Sequence, residues 1–224
     1  MAFNYSPKPV IDSSLVLYLD AANPRSYVSG SSVWTDVSRG GNTGALTNGP
    51  TYSSANGGSI VFDGNDDYID TPLYPSITDG TMSVWVYLKS TITTDKAFII
   101  DDGGGYLVLG VNSVNANRFG MQAWDGSAKW AYDSVNYSLN TWYNVTGTYK
   151  NGQTVKIYIN GILKGQSAAV GVITSPGTNK LRLSKWASSY TNANIASALY
   201  YNRALSATEV LQNYNALKGR YGLR

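Results

Sequence analysis

The stretch VFDGNDDYID holds four of the fourteen acidic residues of this 224-residue chain: Asp63, Asp66, Asp67 and Asp70. Such a group could bind a metal ion, supply catalytic acids or form a turn. An EF-hand calcium loop needs oxygens at alternate positions, then Gly, then a distal Glu, and this stretch has neither that order nor a Glu. Asp and Asn favour turns because their side chains bond local amides. We therefore predict first a hairpin turn, between a strand ending at Phe62 and one beginning at Tyr68.

Hydrolytic chemistry has few candidate residues here. The chain has no His and no Cys, which excludes Ser-His-Asp and Cys-His arrangements, disulfides and Cys/His zinc sites. Glycoside hydrolysis uses two carboxyl groups that flank the bond. No strand carries acidic residues at alternate positions, which a shared sheet face would require, so only Asp101 with Asp102, or the acidic stretch itself, keeps an enzyme open. We predict no catalytic residues and no enzymatic activity.

Aromatic residues next to turns are the second group that could do chemistry. Trp124 and Trp130 flank an Asp-Gly turn at 125–126, while Trp186 and Tyr190 lie in the polar segment SKWASSYTNAN. Sugars present apolar faces to aromatic rings while amides and hydroxyls bond their edges. These four residues are the predicted glycan-binding set. Packing in the core remains the alternative for them, and it is the expectation for Trp85 and Trp142, which lie inside strands.

Charge and hydropathy narrow the function classes. Seventeen basic against fourteen acidic residues give a net charge of +3, and the basic residues do not cluster outside the tail KGRYGLR. Nucleic-acid binding is not expected, because it needs a basic patch. No run approaches the roughly 18 apolar residues of a membrane span, and the start MAFNYSPKPV has no apolar signal core. We therefore expect neither membrane insertion nor a signal peptide, and synthesis in the cytoplasm.

The elements that would position these residues are mostly strands. Short alternating or apolar stretches, such as MSVWVYL, YLVLGV and TVKIYI, are separated by Gly, Asn and Asp, as in an all-β sandwich. The Asn160–Gly161 pair predicts a two-residue hairpin turn, which needs positive φ at both positions. Pro7 and Pro9 hold their neighbours extended. We predict an extended arm over residues 1–13 and a single domain over residues 14–224.

One helix is expected near the end of the chain. In RALSATEVLQNYNALKGRYG, Ser206 and Glu209 have the spacing of a capping box, with Leu205 and Val210 placed for a hydrophobic staple. Apolar residues recur after them at helical spacing, and Gly219 is the predicted stop. Because Glu209 is the only Glu of the chain, its use in the cap removes it from catalysis.

Several segments together resemble the laminin-G-like domain of the concanavalin A-like lectin/glucanase jelly roll, from Leu15 to Leu223. The segments that carry the resemblance are LVLYLDAANPRSY, WTDVSRGGNTGALTNGPTY, GSIVFDGNDDYID, MSVWVYL, NTWYNVTGTYKNGQTVKIYINGILKG and IASALYYNRALSATEVLQNYNALKGRYG. The resemblance implies two antiparallel sheets packed face to face, and a binding or adhesion module that prefers glycans. The style of both ends looks like that of virion proteins from tailed bacteriophages.

The resemblance therefore implies a non-enzymatic virion surface protein, either a capsid decoration protein or a tail-associated adhesin, that binds host-surface glycans. The expected partners are other capsid or tail proteins, held through the N-terminal arm, and self-association stays open. The alternatives are a carbohydrate-active enzyme or its carbohydrate-binding accessory module, and an extracellular lectin.

A structural calcium ion is also implied by the resemblance, where the Phe-Asp-Gly turn meets the loop DVSRGGNTG. The candidate ligands are Asp63, Asp36 and Asn42. Calcium takes six to eight oxygen ligands, so this set is short. Ala196 also departs from the family pattern, since relatives often carry an acidic residue in that strand.

Overall fold

The computed structural model describes residues 8–101, 105–115, 117–174 and 177–224. In that part of the chain it places strands β1 to β18 and three 3₁₀ turns, at Ala55–Gly57, Ser113–Asn115 and Lys218–Tyr221, and one helix, α1, at Ala207–Leu217. The strands are β1 Leu15–Asp20, β2 Val33–Trp34, β3 Gly44–Thr47, β4 Thr51–Ser53, β5 Ser59–Asp63, β6 Tyr68–Asp70, β7 Asp79–Leu88, β8 Lys96–Asp101, β9 Leu107–Val111, β10 Gly120–Trp124, β11 Ala128–Tyr132, β12 Trp142–Lys150, β13 Thr154–Ile159, β14 Ile162–Ala169, β15 Leu181–Leu183, β16 Lys185–Trp186, β17 Ser189–Tyr190 and β18 Asn192–Tyr201. No helix in these residues is long and apolar enough to span a membrane.

Two antiparallel sheets of eight strands each form the predicted all-β jelly-roll sandwich with a short C-terminal helix. Sheet I runs in the order β14-β13-β12-β7-β18-β5-β4, with β1 also paired to β18. Sheet II runs in the order β11-β10-β9-β8-β15-β6-β3-β2. The core lies between the two inner faces, where alternate strand residues meet; among its fully buried members are Leu17, Phe62, Leu109 and Met121.

The acidic stretch is not the turn of a hairpin, so that prediction was wrong. β5 pairs with β18 and β4 in sheet I, whereas β6 pairs with β15 and β3 in sheet II. The turn therefore carries the chain from one layer to the other. The Asp67 carboxylate closes it by accepting a hydrogen bond from the Asp63 amide at 3.0 Å, and Gly64 at φ 83° lies directly against Asn192 of β18.

The predicted Asn-Gly turn and the predicted helix cap are confirmed. Asn160 and Gly161, at φ 52° and 77°, join β13 to β14. The capping box forms as predicted, with the Glu209 amide donating to Ser206 Oγ and the Ser206 amide donating to Glu209 Oε2. The chain continues past α1 through a 3₁₀ turn and bends at Gly222, at φ 69°, rather than stopping at Gly219.

The outer face of sheet I is covered by α1 and the C-terminal turn. Trp85 is fully buried there and stacks on Tyr221, with ring centroids 4.1 Å apart, while half-buried Trp142 lies 4.7 Å from the same ring. Both Trp are thus structural, but they pack outside the sandwich core. The described part of the predicted arm also contacts this side, since the Val10 amide donates to Asn213 Oδ1 at 2.7 Å and Gln212 donates to the Lys8 carbonyl at 3.0 Å.

Candidate functional site

The outer face of sheet II collects polar and aromatic side chains. Met121, Ala123 and Ala131 are buried in the core, so strand alternation turns their neighbours on β10 and β11 outward. The pairing registers then place one row of residues across the outer face, from β11 to β6: Trp130, Gln122, Val108, Ile100, Arg182 and Asp70. Neighbouring members of the row are about 4.8 Å apart, the spacing between strands.

Three rings form a stack on this face, here called the ring stack: Tyr132, Trp130 and Trp186. Trp130 and Tyr132 lie 5.2 Å apart at an interplanar angle of 6°, and Trp130 and Trp186 lie 6.2 Å apart at 29°. Trp186 reaches Trp130 because β16 and β17 form a short hairpin that folds over β8. Both Trp side chains rest on buried Ile100 and Val108 and are half-buried. Each is therefore anchored on one side and reaches solvent on another.

A second group, the lysine cluster, lies beside the stack and consists of Tyr68, Lys185 and Tyr190. Lys185 pairs with Tyr190 across the β16–β17 hairpin. Its Nζ lies 4.2 Å from the ring centroid of Tyr68 and 5.4 Å from that of Tyr190, distances at which a ring face attracts a cation. Arg182 also lies over Tyr68, at 5.1 Å, and its Nε donates to Asp70 Oδ1 at 2.5 Å.

A cavity of about 250 Å³ opens between these two groups, lined by Ile100, Asp101, Gly105, Arg182, Lys185, Trp186 and Ala187. Asp101 is fully buried. Its Oδ1 accepts from the Leu107 amide at 2.9 Å and its Oδ2 from Asn179 Nδ2 at 3.0 Å. Its carboxylate therefore holds the cavity wall together.

The predicted glycan set is partly assembled. Trp130 and Trp186 meet, and Tyr190 lies on the same hairpin as Trp186. Trp124 also faces outward, at the end of β10, but is outside the ring stack. Sequence reasoning missed Arg182 and Lys185, which lie on consecutive short strands, and Tyr68, which is more than 110 positions before them. The alternation within KWASSY, with Lys185 opposite Tyr190, was the signal that could have indicated a small hairpin.

Of the three predicted calcium ligands, Asp36 and Asn42 are in contact, whereas Asp63 lies apart from them, so the structure does not bring the three together as one site. The Asp63 backbone pairs with Asn192, whereas Asp36 accepts a hydrogen bond from the amide of Tyr18, which pairs with Leu199. The two β18 residues, Asn192 and Leu199, are about 20 Å apart along the strand, at roughly 3.3 Å per residue.

Asp36 has a structural task instead. Its Oδ1 accepts from the Tyr18 and Ser38 amides, both at 2.8 Å, and its Oδ2 accepts from the Asn42 amide at 2.8 Å and from Ser38 Oγ at 2.9 Å. Asn42 donates from Nδ2 to the Val16 carbonyl at 2.7 Å. The pair thus ties its loop to β1.

Asp63 has two other carboxylates as neighbours. One oxygen each of Asp63, Asp66 and Asp67 lies within 4.8 Å of the others. Both Asp63 oxygens accept from Asn65, and the Asn65 amide lowers the pKa of Asp63. Burial raises the pKa of Asp67. Carboxylates are the oxygen type that calcium prefers, but three of them are well short of six to eight ligands.

Outside the acidic stretch, the described carboxylates that were considered for catalysis are engaged in structural contacts. Asp102 lies outside the described residues, and Asp101 is bonded into the wall as above. Glu209 is bound to Ser206 and to Arg203, whose Nη2 lies 2.7 Å from Glu209 Oε1.

Comparison with known proteins identifies the fold. A family model described as the concanavalin A-like lectin/glucanases superfamily matches residues 63–211, about two thirds of the chain. No curated protein matches the sequence.

Solved structures match at low identity. The binding domain of Paraclostridial Mosquitocidal Protein 1 matches with a TM-score of 0.72 and 14% identity, over 94% of this chain and 55% of that one. The receptor-binding domain of botulinum neurotoxin type G matches with 0.66 and 18%, over 90% and 51%. Domain 4 of AbnA, an extracellular arabinanase from Geobacillus stearothermophilus solved with arabinotriose, matches with 0.64 and 16%, over 90% and 98%. The chain thus spans about half the length of the two toxin structures, and all three likenesses establish the fold.

Proposed function

Because this chain belongs to the concanavalin A-like lectin/glucanases superfamily and exposes aromatic rings on one sheet face, we propose that it is a non-catalytic carbohydrate-binding domain. The ring stack is the observation that carries this proposal. Trp130 and Trp186 are half-buried on apolar side chains below, which fixes the rings without closing them off. A ring that is held in place and still reaches solvent suits contact with the apolar face of a sugar.

Polar groups beside the stack would read the edges of the sugar. Arg182, Asp70 and Lys185 all lie on the same face as Trp186. Binding sites combine apolar and aromatic surface with a few polar groups that fix orientation, and this face has both.

The placement of carboxylates supports binding without hydrolysis. Glycosidases hold two carboxyl groups about 5–9.5 Å apart, one on either side of the bond. At the described face Asp101 is fully buried and bonded to Leu107 and Asn179, and Asp70 is paired with Arg182. The Asp101 carboxyl group is closed off from a substrate, and the Asp70 carboxylate is occupied by Arg182.

The structural neighbours add support by analogy of fold. One is a domain of an arabinanase solved with arabinotriose, and the other two are the receptor-binding domain of a neurotoxin and the binding domain of a mosquitocidal protein. A place on a bacteriophage virion, as a capsid decoration protein or tail-associated adhesin anchored by the arm, stays a prediction from the sequence. The copy number of the chain per particle would test it, and a few copies would argue against decoration.

The test of glycan binding is a glycan array followed by calorimetry on the best binder. Trp186→Ala and Trp130→Ala are expected to weaken binding at least about tenfold, or about 1.4 kcal/mol. Tyr74→Ala is the matched control, because Tyr74 is 53% exposed and lies outside the site; its affinity should stay within about twofold. Thermal melting confirms that each variant is folded. Absence of any array binder, or equal loss in the control, would overturn the proposal.

A further inference from the structure

We infer that the sugar bound at this face is anionic, carrying a carboxylate or a sulfate ester that Lys185 recognises beside Trp186. This inference rests on the proposed carbohydrate binding and specifies its ligand class. Three features lead to it: how Lys185 is held, what lines the adjacent cavity, and how the charges around it are balanced.

Ring faces, and not acids, hold the Lys185 ammonium. Nζ lies 4.2 Å from the Tyr68 centroid and 5.4 Å from the Tyr190 centroid. Among the described residues no carboxylate forms an ion pair with it, whereas Arg182, Arg203 and Arg220 each have one. Cation–π contacts position an ammonium without neutralising it. The hydrogen-bond donors of Lys185 are therefore left for a ligand.

The adjacent cavity is small enough to hold only one sugar ring or one substituent. Its volume of about 250 Å³ is just below the roughly 300–1,000 Å³ of drug-sized pockets. Trp186 forms one wall and Gly105 another: a Cβ on Gly105, whose φ is 76°, would lie 3.1 Å from Trp186 Nε1. A side chain at position 105 would narrow the space beside the indole, so the cavity suits one sugar ring or its charged substituent next to that ring.

The negative charges at the cavity are already engaged. Asp101 is fully buried and accepts from Leu107 and Asn179. Asp70 is paired with Arg182 at 2.5 Å. The oxygens of both carboxylates are thus occupied by other donors, and Lys185 is the charged group of this described wall that pairs with neither of them. An ammonium in such a place can bind a carboxylate or sulfate by charge-assisted hydrogen bonds.

The experiment compares acidic oligosaccharides with their neutralised forms. Calorimetry with trigalacturonic acid, 3′-sialyllactose and a carboxyl-reduced, sulfated heparin tetrasaccharide is run beside the methyl esters of the first two and the desulfated form of the third. We expect at least one acid to bind five- to tenfold more tightly than its neutral partner, with affinity falling as salt rises. The sugar acids and the sulfated probe separate the two sources of charge.

The variants isolate the lysine. Lys185→Gln is expected to remove the preference for the acidic sugar. Lys185→Arg is expected to keep it, because Arg is also a cation that stacks on rings. Lys164→Gln on β14 removes one positive charge elsewhere, and we expect it to leave the preference unchanged. Equal affinity for acid and neutral forms, or a preference that survives Lys185→Gln, overturns the inference while leaving carbohydrate binding intact. Binding to none of these probes nor to any array glycan overturns both.

Discussion

Replacing Glu209 by Gln distinguishes two contributions of this side chain to stability, its ion pair with Arg203 and its part in the helix cap. Arg203 donates from Nη1 to Glu209 Oε2 at 3.0 Å and from Nη2 to Oε1 at 2.7 Å, and Nη2 also reaches Asp12 Oδ2 at 2.7 Å. Gln can still accept from the Ser206 amide, so the capping box survives. What Glu209→Gln removes is the negative charge beside Arg203.

The expected loss of stability is about 1–2 kcal/mol. Hydrogen bonds to charged groups contribute about 1.5–3 kcal/mol each, but the Glu209 and Arg203 side chains are 29% and 32% exposed, so solvent screens the pair and the lower range applies. For a domain of this size each kcal/mol lowers the melting temperature by about 2–4 °C. Thermal melting at pH 7 should therefore show a drop of about 2–8 °C.

The pH dependence tests the cause. The hydrogen bonds from Arg203 lower the pKa of Glu209 from 4.5 to about 2, so the unfolded chain takes up this proton at a higher pH than the folded protein does. The contribution is therefore complete above pH 4.5 and is lost as the pH falls towards 2. The difference in melting temperature between wild type and Glu209→Gln should be largest above pH 4.5 and should vanish near pH 2.

A constant gap from pH 7 to pH 2.5 would refute the reasoning, because it would assign the loss to geometry and not to charge. Ser206→Ala is the matched control. It removes the cap but keeps the ion pair, so we expect a loss of about 1 kcal/mol with the acid step retained.

Two further outcomes follow from buried polar groups. Asp36→Asn should destabilise the protein by about 2–3 kcal/mol, because the amide nitrogen that replaces one carboxylate oxygen would face hydrogen-bond donors. Thermal melts should show the same loss of stability with a chelator and with millimolar calcium. Recovery of stability in calcium would instead identify Asp36 as a calcium ligand. Tyr149→Phe removes a buried hydroxyl that donates to the Ser76 carbonyl at 2.7 Å and bonds Tyr200 at 2.8 Å, so chemical denaturation should show a loss of about 1–3 kcal/mol. A change below 0.5 kcal/mol would show that water replaces the hydroxyl.

Local patterns predicted those parts of the fold that depend on near neighbours. A capping box joins residues three apart, and an Asn-Gly turn needs only its own two φ angles. Both therefore follow from the order of residues alone. The strand alternation also predicted the sandwich, because period-two burial is a property of each strand.

The β5–β6 turn shows where such patterns stop. Two strands joined by a tight polar turn have the same alternation whether they pair in one sheet or pass from one sheet to the other. The choice depends on the partners β18, β15 and β3, which lie far away in sequence. The same limit applied to calcium, where Asp63 and Asp36 were predicted together but lie beside β18 residues seven positions apart, Asn192 and Leu199.

The residue types by themselves determined what this protein lacks and what it has in quantity: no imidazole or thiol chemistry, a single Glu used by a helix cap, and many aromatic rings near turns. Tertiary structure alone decided which rings meet. Trp130 and Trp186 are 56 positions apart, and only the folding of the β16–β17 hairpin over β8 stacks them and places Lys185 between Tyr68 and Tyr190. Contacts of that range depend on sheet order and on which face a hairpin covers, and strand alternation specifies neither.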